Sequence, residues 1–133
     1  MFLSHITLLV SDIPRSKAFY GALGLELIVD AAQYCRFRAN LDGQGSQTLS
    51  ISHSSDPIGA SCHVGFEFTS PEALDAYAAV LQSRGLALSQ HPQDRSWLWR
   101  EASLHDPDGH EILLFYAGDN KLNPPWRVGR SPD

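Results

Sequence analysis

Two of the six histidines stand at matched places. His5 opens the stretch His5-Ile6-Thr7-Leu8-Leu9-Val10, and 58 residues later His63 opens His63-Val64-Gly65-Phe66-Glu67-Phe68. Imidazoles repeated in this way can serve one site, as hydrogen-bonding liners or as ligands of a divalent ion. A histidine alone on such a face is more often a liner. Glu67, Glu101 and Glu111 are carboxylates at alternating positions and candidate general bases. Trp97 and Trp99 offer stacking surfaces for a planar molecule. Arg36 and Arg38 offer charge to an anion, although alternating arginines also suit a solvated sheet edge. His91, His105 and His110 read as surface or turn residues. Cys35 and Cys62 read as inert buried thiols on the helix side, and neither sits in a Cys-x-x-Cys pair.

The elements that must position these groups come in two copies. Ile6, Leu8 and Val10 alternate with polar residues, as do Val64, Phe66 and Phe68, and a period of two marks a strand with one buried face. Ser16, Phe19, Tyr20 and Leu23 then follow helical spacing, and Leu74, Tyr77, Ala78 and Leu81 repeat it at the same offset. Asp12 and Ser70 are suitable N-caps, Pro14 and Pro71 fit first turns, and Gly24 and Gly85 suit left-handed ends. The helices are therefore expected at about 12–23 and 70–84. Further strands are expected at 25–30, 34–39 and 47–53 in the first copy, and at 86–91, 97–105 and 110–117 in the second. Asp42-Gly43-Gln44-Gly45 and Asp106-Pro107-Asp108-Gly109 supply turns. The expected fold is α+β, with two pseudo-symmetric βαβββ modules whose mixed sheets curl around a cavity. Module one covers about 1–53, the linker 54–61 and module two about 62–118. Together these make one domain over 1–118, followed by a Pro-rich tail at 119–133.

Helices cover one face of each sheet, so the apolar alternates belong there. The opposite faces then carry His5, Thr7 and Leu9 with Ser50 in the first copy, and His63, Glu67, Glu101, Glu111 and Leu113 in the second. Arg36 and Arg38 share that first face, and Trp97 and Trp99 share the second, while His53 faces the helices or solvent. A lining that is polar and aromatic at once suits a small-molecule site better than a bare wet surface.

Composition narrows the field. The chain has 133 residues, 43% of them hydrophobic and 19% charged, which is enough for one core and argues against disorder. A net charge of −5 argues against nucleic acid or an anionic membrane as partner. No apolar run approaches the roughly 18 residues of a membrane span, and the first residues lack the pattern of a signal peptide. A cytoplasmic location is expected.

The opening His5-Ile6-Thr7-Leu8-Leu9-Val10-Ser11-Asp12, then Phe19-Tyr20 and Leu23-Gly24-Leu25, resembles the first module of the vicinal oxygen chelate proteins. These include glyoxalases, extradiol dioxygenases and bleomycin-binding proteins. His63 and the Asp106-Pro107-Asp108-Gly109 turn match as well, so the resemblance runs from residue 2 to 117. It implies a divalent ion (Zn, Ni, Fe or Mn) on His5, His63 and an acid. Two departures stand out. Ser50 holds the fourth-strand ligand position and is a feeble neutral ligand. The ligand glutamate usually follows the first aspartate of the turn by seven residues, and position 113 is leucine. Glu111 shares that face but lies about 6.6 Å away along the strand, at about 3.3 Å per residue.

Two functions follow as expectations. In the first, towards which the retained histidine pair leans, an enzyme of the lyase or dioxygenase type chelates an oxygen-bearing, anionic molecule. Its metal sits on His5, His63 and Glu111, and Glu111, Glu101 or Glu67 acts as base. In the second, a metal-free protein of the bleomycin-resistance type sequesters the ligand. Arg36, Arg38, Ser50, Trp97, Trp99 and Leu113 line the substrate site in either case. The resemblance also implies a homodimer.

Overall fold

A computed structural model describes residues 1–59 and 62–129. The chain forms two compact units, Met1–Cys62 with His105–Glu111, and His63–Leu104 with Ile112–Asp133. The expected linker and tail fall partly on residues 60, 61 and 130–133, outside the described residues.

The first unit holds β1 (His5–Val10), α1 (Ile13–Leu23), β2 (Glu26–Ala31), β3 (Tyr34–Arg38) and β4 (Thr48–His53). Its sheet runs β1-β4-β3-β2. β1 lies parallel to β4, which puts Thr7 opposite Ser50, and β3 is antiparallel to β4, which puts Arg36 opposite Ser50 on the other side. The two pairings place Thr7, Ser50 and Arg36 in one row across the sheet. α1 starts where Asp12 accepts a hydrogen bond from the Arg15 amide at 2.9 Å, and it ends at Gly24, whose φ of 112° suits glycine. Its buried side packs Ile13, Tyr20 and Leu23 with Leu8, Val10, Phe37, Leu49 and Ile51 of the sheet. Each such side chain contributes about 1.5–3 kcal/mol on burial.

The expected register of apolar positions is therefore observed, but the turn at 105–111 belongs to this unit through polar contacts that periodicity does not reveal. Tyr20 donates from its buried hydroxyl to Asp106 at 2.7 Å. Asp108 accepts from the Ser11 amide at 3.1 Å and from the Ser11 hydroxyl at 2.5 Å. His110 corrects the expectation of a surface residue: it is buried, and its Nε2 meets the Leu9 carbonyl at 2.8 Å. That bond needs the ring inside. Cys35 is fully buried as expected, whereas Cys62 is only partly so, because it precedes β5 and lies outside the sheet.

The second unit holds β5 (His63–Glu67), α2 (Pro71–Ser83), β6 (Gln90–Asp94), β7 (Arg100–His105) and β8 (Glu111–Tyr116), with a short 3-10 helix at Gly118–Asn120. Its sheet runs β5-β8-β7-β6, and like the first it contains a parallel pair. Ser70 caps α2 by accepting from the Ala73 amide at 3.0 Å. Arg100 grips Asp75 of α2 with two bonds, at 2.8 and 3.0 Å.

Two strands differ from expectation. β6 begins four residues late, at Gln90 rather than 86, and its pairing with β7 slips between Gln90 and Gln93. It is an edge strand interrupted by Pro92, which has no N–H to give a ladder, so its place is set by β7 and not by its own apolar alternation. β7 begins at Arg100 rather than 97 because residues 95–99 form a turn. The turn is closed by the Arg95 amide on the Trp99 carbonyl at 2.8 Å, with Leu98 at φ 69°. Trp97 therefore lies on a loop.

Candidate functional site

The open face of the first sheet gathers several of the groups singled out from sequence. His5 Nδ1 lies 2.5 Å from the Thr48 hydroxyl and its Nε2 lies 3.1 Å from the Thr7 hydroxyl, so both ring nitrogens meet hydroxyl partners. Register explains this, since His5 pairs with Thr48 and Thr7 follows two places along the same strand face. Ser50 is fully buried and shares a hydrogen bond of 2.6 Å with the Tyr34 hydroxyl. Arg36 donates from Nε to the same Tyr34 oxygen at 3.0 Å, and its guanidinium carbon lies 5.5 Å from the Tyr34 ring centre. These contacts lower the Tyr34 pKa, the Ser50 hydrogen bond most, then the hydrogen bond and charge of Arg36. Arg38 is engaged otherwise: it pairs with Glu26 at 3.3 Å and donates to the Gly43 carbonyl at 2.9 Å, holding the hairpin. The two arginines thus separate in role. A cavity of about 160 Å³ in the same unit is bordered by Thr7, Leu9, Ile58, Cys62 and His110.

In the second unit the candidate groups are largely engaged with one another. Glu67 accepts from Lys121 at 2.9 Å, and that ammonium lies 5.6 Å from the Phe115 ring centre. Trp99 stacks on Phe115 with centres 4.5 Å apart and planes at 15°. Leu113, Phe115 and Ala117 form a small apolar cluster with Trp99 against it, on the side of β8 away from Ile112 and Leu114. Gly65 makes room for this, because a Cβ there would stand 3.0 Å from Phe115 Cε1. Glu101 is buried, accepts from the Trp97 indole at 2.6 Å and lies 3.6 Å from Arg95 Nε. His63 stands on the exposed side of β5, and Glu111 is half-buried at the start of β8.

Whether these residues fit a resident divalent ion can be judged from the donors. A stable site wants three or more protein ligands. Among the described residues no group of three or more His, Cys, Asp and Glu side chains is gathered to hold one. His5 is turned to hydroxyls, Glu67 and Glu101 are held by cations and an indole, and Leu113 packs with Phe115 and Ala117. The donor set does not fit a resident divalent ion.

Tyr34, Asp106, Asp108 and His110 are the polar residues that sequence reasoning missed. For Tyr34 the signal was present, because Tyr34, Arg36 and Arg38 alternate on one strand face. The other three act across distances of 86 to 101 residues, which local spacing cannot reveal.

A model of the glyoxalase/bleomycin resistance protein/dioxygenase superfamily matches residues 2–114. A trivalent organoarsenical cleaving enzyme of Bacillus sp. (strain MD1) is 27% identical over 146 residues, spanning 98% of this chain and 84% of that protein. A crystal structure of a glyoxalase/bleomycin resistance protein/dioxygenase from Nocardioides is similar in fold, with a TM-score of 0.77 and 22% identity over 97% of this chain and 90% of that one. A lactoylglutathione lyase from Agrobacterium tumefaciens is similar at a TM-score of 0.69 and 18% identity, over 86% and 92% of the two chains. With two βαβββ modules, a histidine opening each, and a family match over most of its length, the chain belongs to the glyoxalase/bleomycin resistance protein/dioxygenase superfamily.

Proposed function

We propose that this chain binds a small anionic, oxygen-bearing molecule on the open face of its first sheet, as a metal-free protein of the bleomycin-resistance type. The observation that carries the reading is the asymmetry of the two arginines. Arg38 is neutralised by Glu26, whereas Arg36 meets only the uncharged Tyr34 and has no carboxylate partner among the described residues. A guanidinium whose terminal nitrogens remain available, beside the Tyr34 hydroxyl, suits a carboxylate or similar oxyanion. Leu113 and the engaged acids favour binding by charge and hydrogen bonds over chelation.

Benzoate serves as a probe in a thermal-shift titration with chelator present. Stabilisation by benzoate that survives the chelator and is lost in Arg36→Gln is the expected result. A shift that needs added divalent metal, or one untouched by Arg36→Gln, overturns the reading.

A second reading has its own support in the relative named as an organoarsenical cleaving enzyme, matched over nearly the whole chain. In it the chain is an enzyme of the lyase or dioxygenase type. Turnover that depends on added metal would favour it.

A further inference from the structure

The Tyr34 hydroxyl has an arrangement that ligand binding alone does not call for. Its oxygen receives the Nε–H of Arg36 at 3.0 Å and lies 2.6 Å from Ser50 Oγ, a fully buried hydroxyl fixed in the sheet. Tyr34 itself is half-buried, so part of its side chain is open to solvent. When both neighbours donate, the oxygen is set up to carry negative charge and still has room for a third hydrogen bond. The remaining guanidinium nitrogens of Arg36 lie beside it, where an anionic ligand would be held next to that oxygen.

We propose that Tyr34 is a proton acceptor on this face, taking a proton from an acidic O–H or activated C–H of an anionic molecule held on Arg36. The step balances simply. The ligand's O–H or C–H bond breaks, its electron pair stays on the ligand, and the proton forms the phenolic O–H of Tyr34. Arg36 remains a cation throughout and stabilises the negative charge as it moves from tyrosine oxygen to ligand. Ser50 is a positioning residue, since its hydroxyl fixes the phenol oxygen without touching the ligand. The inference uses the Arg36 anchor of the proposed binding function but is tested without any ligand, so either can fail alone.

The remaining charged groups of this sheet leave the assignment to Arg36 and Ser50. Arg38 is paired with Glu26, His5 is held by Thr48 and Thr7, and His53 is exposed at the end of β4. On the helix side, Lys17 pairs with Asp30 at 3.1 Å, and the Cys35 thiol lies 3.6 Å from the same carboxylate.

The test is a pH titration of the full chain carrying tyrosine labelled with carbon-13 at Cζ, followed by NMR. The sequence has four tyrosines, and one resonance should titrate below the ordinary tyrosine value of about 10. Tyr34→Phe should remove that resonance. Arg36→Gln and Ser50→Ala should each raise its midpoint, with Arg36→Lys restoring part of the effect of charge. Four tyrosines all titrating at or above about 10 in the native chain would overturn the proposal, and that arm needs no variant to fold. A low-titrating resonance that persists in Tyr34→Phe, or that Arg36→Gln leaves in place, would overturn it equally.

Discussion

Tyr20 and Tyr34 sit in one unit, and their surroundings push them in opposite directions. Burial, and then the hydrogen bond to Asp106, raise the Tyr20 pKa far above its ordinary value. Ser50 and Arg36 lower that of Tyr34. A raised folded value gives stability that is full below the unfolded pKa of about 10 and is lost as pH rises above it, because the unfolded chain ionises where the native one resists. A lowered value works the other way, adding stability at high pH that is lost as pH falls through the folded pKa. Tyr20→Phe should therefore flatten the alkaline decline in unfolding free energy, and Tyr34→Phe should steepen it, as measured by urea unfolding across that pH range. At neutral pH, Tyr20→Phe also leaves Asp106 without its phenol donor and should cost about 1–2 kcal/mol. A loss under about 0.5 kcal/mol would contradict a structural role for this bond. Neither tyrosine's role was legible in sequence to the same degree. Tyr20 was placed on the buried face of α1 by spacing alone, but its partner lies 86 residues away.

The elements were legible where their causes are local. Asp12, Ser70 and the following prolines mark helix starts through side chain and backbone chemistry within a few residues, and both helices begin at that place. Ser70→Ala should accordingly cost about 1 kcal/mol, since the Ala73 amide loses its acceptor. Chemical denaturation measures it, and an unchanged midpoint would show that water replaces the cap at no loss. Where the cause is a neighbouring strand, legibility fails. Leu86 and Leu88 alternate as a strand would, yet pairing starts at Gln90, because β6 takes its register from β7 around Pro92. Trp97 and Trp99 also alternate, yet the turn closed by Arg95 and Trp99 takes them out of the ladder. The candidate site divides similarly. Strand parity placed Arg36 and Ser50 on the open face, but it could not tell that Arg38 would be taken by Glu26 or Glu67 by Lys121.

At the scale of the whole molecule, the family assignment and the donor set pull apart. The chain has two histidines at matched positions, residue 113 is leucine, and the acids Glu67 and Glu101 serve other partners. Exposed apolar residues remain in the tail and at the 95–99 turn, with Leu122 79%, Trp126 59% and Leu98 48% exposed. We propose that a second copy covers part of this surface, in keeping with the homodimer expected from the resemblance. Sedimentation at micromolar concentration should then give a dimer, and a single monomer boundary would count against it. The most direct test of the central claim, ligand binding without a resident metal, is the metal content of the untagged chain purified without chelator. The predicted result is divalent metal well below one equivalent per chain, unchanged in His5→Ala and His63→Ala. A full equivalent of zinc, nickel, iron or manganese that disappears in either variant would contradict it.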